Sequence, residues 1–315
     1  MRYFNTKAYA KLNLSLDITG KRDDGYHELI MIMQSVTLSD SVALALLPAS
    51  EGVQSHSNLR YIPNDERNLA VKAAHAFFRE TGIRSGVSIN IKKNIPVGSG
   101  MAGGSTDAAA VLRGLNRMFS FRLNRKELED LGATIGSDVP FCIAGGTQLA
   151  TGRGEILQDL PPLPDCSIVI CKPSFSISTP DLYRQIDDTE ILRHPDTDAL
   201  KQALEDQDLI GVAENMYNVF EETPLEQFET VRQLRSDLMR CGALGSIMTG
   251  SGSAVFGIFN DREKALQAQT ELKKVHRFCF LSHNRLAIRL RYRFHIQQID
   301  RTLQLYAKCG RSFPI

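Results

Sequence analysis

The chain has 315 residues, 43% of them hydrophobic, which is enough apolar material for two domains or one large one with a sizeable core. Lys and Arg number 37 against 36 Asp and Glu, so the formal charge of +1 excludes a chain-wide attraction to nucleic acid or an anionic membrane, and any anion site must be local. No apolar run approaches the ~20 residues of a membrane span, and Met1-Arg2-Tyr3-Phe4-Asn5 lacks the apolar core of a signal peptide; six cysteines (Cys142, Cys166, Cys171, Cys241, Cys279, Cys309) without a C-x-x-C pair fit reduced thiols in a cytoplasm.

Leu12, Leu14, Leu16 and Ile18 alternate with polar residues, predicting a half-buried strand whose wet face carries Lys11, Asn13, Ser15 and Asp17. Gly20 to His27 reads as a polar hairpin connection; Tyr26 and His27 could serve a ring ligand or simply be surface aromatics. Leu29 to Leu47 reads as two strands broken near Ser39-Asp40-Ser41, with antiparallel pairing. Leu69, Ala73, Ala74 and Phe77 then recur at helical spacing, with Gly82 as the expected stop.

Val87, Ile89 and Ile91 alternate with Ser88, Asn90 and Lys92 and lead into Asn94-Ile95-Pro96-Val97-Gly98-Ser99-Gly100-Met101-Ala102-Gly103-Gly104-Ser105-Thr106-Asp107; a helical pattern follows in Ala108, Val111, Leu112 and Leu115. A strand, a glycine-rich loop and a helix start suit a phosphate, because glycines allow close backbone approach and the first helical turn leaves N–H groups unpaired. Three readings compete at this point. A Walker loop requires lysine where Gly104 stands before Ser105. Gly98-x-Gly100-x-x-Gly103 matches a dinucleotide loop and hence an NAD(P)-dependent oxidoreductase, but a strand at the centre of a doubly wound sheet is apolar on both faces, and this one alternates. The third reading is a glycine turn before a core helix.

Further on, Asn124-x-x-Glu127 has the form of a capping box. Gly136-Ser137-Asp138-Val139-Pro140 is a post-helical turn, and Pro161-Pro162-Leu163-Pro164 follows the glycine turns at 145–154. A domain boundary is expected there, giving units at 1–158 and 159–283. Residues 185–235 read as mostly helical, and Gly245 to Ser253 forms a second glycine-rich loop before a buried run, Ala254 to Phe259. The last segment, 284–315, sets Arg285, Arg289, Arg291, Arg293, Arg301, Lys308 and Arg311 against Asp300; a solvated basic tail and an RNA-binding module are both open to it.

Three separated stretches resemble the motifs of the small-molecule kinases grouped as galactokinase, homoserine kinase, mevalonate kinase and phosphomevalonate kinase, the GHMP family. They are Ala10-Lys11-Leu12-Asn13-Leu14, the loop Pro96 to Thr106, and Met248-Thr249-Gly250-Ser251-Gly252-Ser253, in matching order over about residues 5–283. Within the family, Gly25-Tyr26-His27 and Gly136 to Pro140 look like the branch whose acceptor is a cytidine diphosphate-linked methylerythritol. Relatives acting on homoserine or mevalonate are the alternative.

The resemblance implies an α+β, two-domain fold with mainly antiparallel sheets and the active site in the inter-domain cleft. It implies ATP held by Pro96, Val97, Gly98, Ser99, Gly100, Met101, Ala102, Gly103, Gly104, Ser105 and Thr106, with Asn68, Leu69 and Lys93 towards the adenine. Mg²⁺ is expected with the nucleotide, on Ser105 or Thr106. Asp138 is implied as general base with Lys11 as its cationic partner. Asn13, Tyr26, His27, Thr179, Pro180 and Tyr183 are implied on the acceptor side, Tyr26 and Tyr183 sandwiching the cytosine while His27 meets its edge. Such a small-molecule enzyme is expected as a monomer or homodimer, with neither nucleic acid nor membrane as partner.

Overall fold

The computed structural model describes residues 2–286, so all the basic residues of the tail except Arg285 lie outside the described residues. Strand β1 (Tyr3–Lys21) runs antiparallel to β2 (His27–Leu47), and β3 (Val53–Ser57) follows. Helix α1 (Leu69–Thr81) leads to β4 (Gly86–Lys92), which pairs with β2 antiparallel and with β3 in parallel. Next come α2 (Gly103–Met118), α3 (Arg125–Ala133), α4 (Val139–Ala144), β5 (Thr147–Gly152) and β6 (Ile156–Asp159). The first sheet has the order β3-β4-β2-β1, with β5 on the other stretch of β2 and β6 on β5.

The chain then forms β7 (Ser167–Lys172), α5 (Thr179–Asp187), α6 (Thr197–Glu205), α7 (Leu209–Glu214) and β8 (Tyr217–Asn218). It closes with α8 (Gln227–Arg240), β9 (Gly245–Met248), β10 (Val255–Phe259), α9 (Arg262–Leu272) and β11 (Phe278–His283). These give a second, antiparallel sheet in the order β11-β7-β10-β9. The short β8 instead pairs in parallel with β1, so the first sheet takes a strand from far along the chain. Because β4 is antiparallel to β2, this is no doubly wound parallel sheet, and the dinucleotide reading of the glycine loop falls with it.

Local signals account for many of the boundaries. The Asn68 side chain caps α1 by accepting from the Ala70 N–H, and Gly82 stops that helix at φ +67°. Asn124 and Glu127 form both halves of the capping box. Alanines pack the core side of α1 (Ala70, Ala73, Ala74) and of α2 (Ala108, Ala109, Ala110); they lie buried with Phe77, Val87, Ile89 and Leu112 against the sheet. On the opposite face of β4, Asn90 and Lys92 are exposed, as the alternation predicts. No helix of the described residues is long and apolar enough to cross a membrane, and the five described cysteines are free.

Two expectations require correction. The break near Ser39-Asp40-Ser41 does not occur: β2 is continuous through it, and Asp40 is fully buried. Asp40 resembles turn chemistry in sequence because its real partners, on the segment after β4, are about fifty residues away. The polar face of β1 is likewise not wet, since Lys11, Asn13, Ser15 and Asp17 are all buried. Residues of the later part of the chain cover it, with the Thr249 hydroxyl accepting from the Asn13 N–H at 3.0 Å and His194 Nδ1 lying 2.7 Å from Asp17 Oδ1. Alternation reveals two chemically different faces, but here the polar one meets protein rather than solvent.

Candidate active site

A cavity of about 900 Å³ opens between the glycine loop, the start of β2, α5 and the Gly250–Gly252 turn. The loop is fixed from several sides. Asp40 Oδ1 accepts from the N–H groups of Asn94 at 2.5 Å and Ile95 at 2.8 Å. The Met101 carbonyl accepts from Lys11 N–H at 3.4 Å, and that of Ser99 accepts from Ala254 N–H at 3.2 Å. Gly100, at φ +75°, approaches the second glycine loop so closely that a Cβ would lie 2.1 Å from the Thr249 carbonyl oxygen.

Ala102, the N-cap of α2, makes no side-chain cap. The first N–H groups of that helix, from Gly103 to Ser105, are therefore left to the cavity, where they and the dipole favour an anion. Pro96, Val97, Gly98, Ser99, Gly100, Met101, Ala102, Gly103, Gly104 and Ser105 all line the cavity. Thr106 does not: it is buried, and its hydroxyl donates to the Gly103 carbonyl at 3.0 Å. Of the two candidate magnesium ligands, only Ser105 faces the cavity.

Lys11 and Asp138 meet at one side of this cradle. Lys11 Nζ donates to Asn13 Oδ1 at 2.7 Å and lies 3.9 Å from Asp138 Oδ1. Asp138 occupies the N-cap position of α4 without spending its carboxylate on a cap, so the group remains free for the cavity. Asn13 is buried beside Lys11, whose ammonium it accepts from, and is not among the residues that line the cavity.

At the far end lie Tyr26, His27, Thr179, Pro180 and Tyr183. Tyr26 and Tyr183, the two rings expected to sandwich the base, both line this end. Tyr183 stacks on His27, at 4.8 Å between centroids and 29° between planes, and meets Phe220 edge-on at 5.0 Å. His27 Nε2 is held 2.6 Å from Asp187 Oδ1, leaving its Nδ1 side as the edge it can offer. Tyr26 is exposed, with the Arg153 guanidinium 5.0 Å from its ring centroid. Burial first, and then the charge of Asp138, push the Tyr183 phenol up, so it stays neutral.

Asn68 and Leu69 border the donor end, though the Asn68 side chain is committed to capping α1 and to the Pro63 carbonyl. Lys93 also borders it, but its ammonium is taken up by Asp40, by Asp107 at 2.7 Å and by the Gly103 carbonyl at 3.1 Å. Burial pushes Asp107 up to about 7, against the pull of Lys93 and with the charge of Asp40 adding to the rise. Sequence reasoning missed Asp40, Asp107, Arg153 and Asp187. Asp187 had a usable signal, since it stands one helical turn after Tyr183 on the same face. Asp40 had none, its partners being remote in sequence.

Comparison with known proteins identifies the family. The family pattern "GHMP kinases N terminal domain" matches residues 68–146, and "GHMP kinases C terminal" matches 200–277. A protein of Clostridium botulinum (strain Eklund 17B / Type B) named 4-diphosphocytidyl-2-C-methyl-D-erythritol kinase is 45% identical over 278 residues, covering 88% of this chain and 99% of its own. One of the same name from Acetivibrio thermocellus is 42% identical over 282 residues, covering 90% and 99%. A solved 4-(cytidine 5'-diphospho)-2C-methyl-D-erythritol kinase superposes with a TM-score of 0.73 at 31% identity, covering 89% of this chain and 99% of that one. Homoserine kinase from Cytophaga hutchinsonii shares the fold at a TM-score of 0.72 and 19% identity. The family patterns, these relatives and the cleft with its paired glycine loops agree: the chain belongs to the GHMP kinases, enzymes that use ATP.

Proposed function

We propose that the chain transfers the γ-phosphoryl group of ATP to the 2-hydroxyl of 4-diphosphocytidyl-2-C-methyl-D-erythritol, releasing ADP, in non-mevalonate isoprenoid precursor biosynthesis. The relatives' names supply the acceptor, and the aromatic end of the cavity supports it, because planar rings bind a base by its face. The observation that carries the chemistry is the placement of Lys11 Nζ 3.9 Å from Asp138 Oδ1 beside the phosphate loop.

In this reading the acceptor oxygen attacks the γ-phosphorus in line while its proton passes to Asp138, and the bond to the β-phosphate oxygen breaks. Lys11 faces the Asp138 carboxylate and lies against the transferring group, whose charge it stabilises, and Asn13 fixes the direction of its ammonium. The open amides at the start of α2 take the donor phosphates. Among the described residues no group of three His, Cys, Asp or Glu side chains could hold a resident metal. The Ser105 hydroxyl in the first turn of α2 fits instead an ion arriving with the nucleotide, and magnesium bound there would spread the phosphate charge.

The deciding experiment incubates the protein with ATP, Mg²⁺ and the cytidylyl acceptor and follows ADP release, with homoserine and mevalonate in parallel. Turnover with the cytidylyl acceptor alone is expected; turnover with another acceptor and none with this one would overturn the reading. The near-zero charge supports a small-molecule enzyme that needs no nucleic-acid or anionic-membrane partner, and six cysteines without a C-x-x-C pair support a cytoplasmic one; a monomer or homodimer is proposed with it.

A further inference from the structure

The phosphate loop begins and ends at one buried cluster. Asp40 on β2, Lys93 just after β4 and Asp107 in the second turn of α2 have side chains that are 0%, 4% and 5% exposed. The Lys93 ammonium donates to Asp40 Oδ2, to Asp107 Oδ2 at 2.7 Å and to the Gly103 carbonyl at 3.1 Å. The other oxygen of Asp40 accepts from the N–H groups of Asn94 and Ile95, where the loop departs from β4. A single ammonium and its two carboxylates therefore bind the loop's entry at 94–95, its exit at 103 and the helix that follows.

We propose that Asp40, Lys93 and Asp107 are positioning residues for the ATP site. They hold the amides of Gly103 to Ser105 in the arrangement that the donor phosphates require before the nucleotide arrives. Three observations favour this over a direct ligand contact by Lys93. All three Lys93 donors point at protein acceptors, so the ammonium is already engaged. A Cβ on Gly103 would lie 3.2 Å from Lys93 Nζ, placing the ammonium directly against the loop backbone. Asp107 Oδ1 is buried without a hydrogen-bond partner, an arrangement that gives up stability and is not what a cluster serving stability alone would keep.

The inference rests on ATP being the donor, so wild-type ADP release with the cytidylyl acceptor is measured first; its absence would sink that reading rather than this one. Asp107→Ala and Asp107→Asn are then compared with wild type in KM for ATP, KM for the acceptor, ADP affinity by calorimetry and melting temperature. Asp107→Ala removes one of the three acceptors of Lys93, whereas Asp107→Asn is isosteric and keeps an oxygen for it. The expected result is a KM for ATP raised roughly tenfold or more in Asp107→Ala. Asp107→Asn should fall between it and wild type, and the acceptor KM should stay within twofold in both. A KM for ATP within twofold of wild type in both variants would overturn the proposal. Equal rises in the two KM values, tracking a lowered melting temperature, would also overturn it, because they describe general loosening.

Discussion

Gly100 and Gly250 touch across the two glycine-rich loops: a Cβ on Gly250 would lie 2.7 Å from the Gly100 carbonyl oxygen, and one on Gly100 would lie 2.1 Å from that of Thr249. Both residues have positive φ, at +75° and +57°. Any side chain at either position adds backbone strain to a contact that only backbone shifts could relieve. Gly100→Ala and Gly250→Ala are expected to push the loops apart and lower kcat/KM by ~10²-fold, since ångström-scale misplacement costs about that much. Steady-state assays of the two single variants check this, and near-wild-type activity in either would show that the contact is dispensable.

Asp138→Asn keeps the shape of the N-cap residue and removes the base. Turnover should fall by ~10²–10⁴-fold while ADP affinity stays within about twofold of wild type. Calorimetry alongside single-turnover kinetics separates the two quantities; wild-type turnover would remove Asp138 from the mechanism.

Lys11→Met exchanges a buried ammonium for an apolar chain of similar length and leaves Asn13 Oδ1 only the long 3.5 Å donation of the Thr249 hydroxyl. A loss of ~10²–10³-fold in kcat is expected, as for other single electrostatic stabilisers. If only the KM for ATP changed, Lys11 would be a binding group and not a partner of the base.

At the acceptor end, Tyr183→Ala removes both the stack on His27 and the edge contact with Phe220. Tyr26→Ala removes an exposed ring that supports Arg153. Base stacking is worth ~1–3 kcal/mol, so each should raise the acceptor KM by roughly tenfold while that for ATP stays put. An unchanged acceptor KM in Tyr26→Ala would leave the base to Tyr183 and His27.

The Lys21 hydrogen bond first, and that of His27 second, hold the Asp187 carboxyl below its usual range. Its folded pKa is depressed, so its contribution to stability is present above the unfolded value of about 3.9 and disappears as pH falls through the folded one. The pair is partly solvated, which limits the effect to ~1 kcal/mol. Asp187→Asn should thus melt slightly below wild type near pH 7, with the two curves converging below about pH 4. Thermal melts from pH 7 down to about pH 2 provide the check, and a gap that does not shrink at all as pH falls below about 4 would assign the difference to packing.

What could be read in advance follows from the range of the forces involved. The capping box at Asn124 and Glu127, the stop at Gly82 and the loop before α2 are local, so their residue types announce them. Lys11, Asp138, Tyr26 and Tyr183 could be gathered only through the family resemblance, because nothing in their spacing brings them together. Their detailed contacts escaped even that: Tyr183 pairs with His27, Thr106 turns into its helix, and Lys93 serves carboxylates. Asp40 was misread altogether, since a buried charge inside a strand looks like a turn until its partner is seen.

Tyr217 and Asn218 enter the first sheet beside Ser15 and Leu16, and the Asn218 amide donates to the carbonyls of Met248 and Gly250 at 2.9 Å each. A gene cut near codon 159 would accordingly yield no pair of free-standing halves. The first fragment would keep a raw β1 edge prone to self-association, and the second would lose the seam that sets its glycine turn.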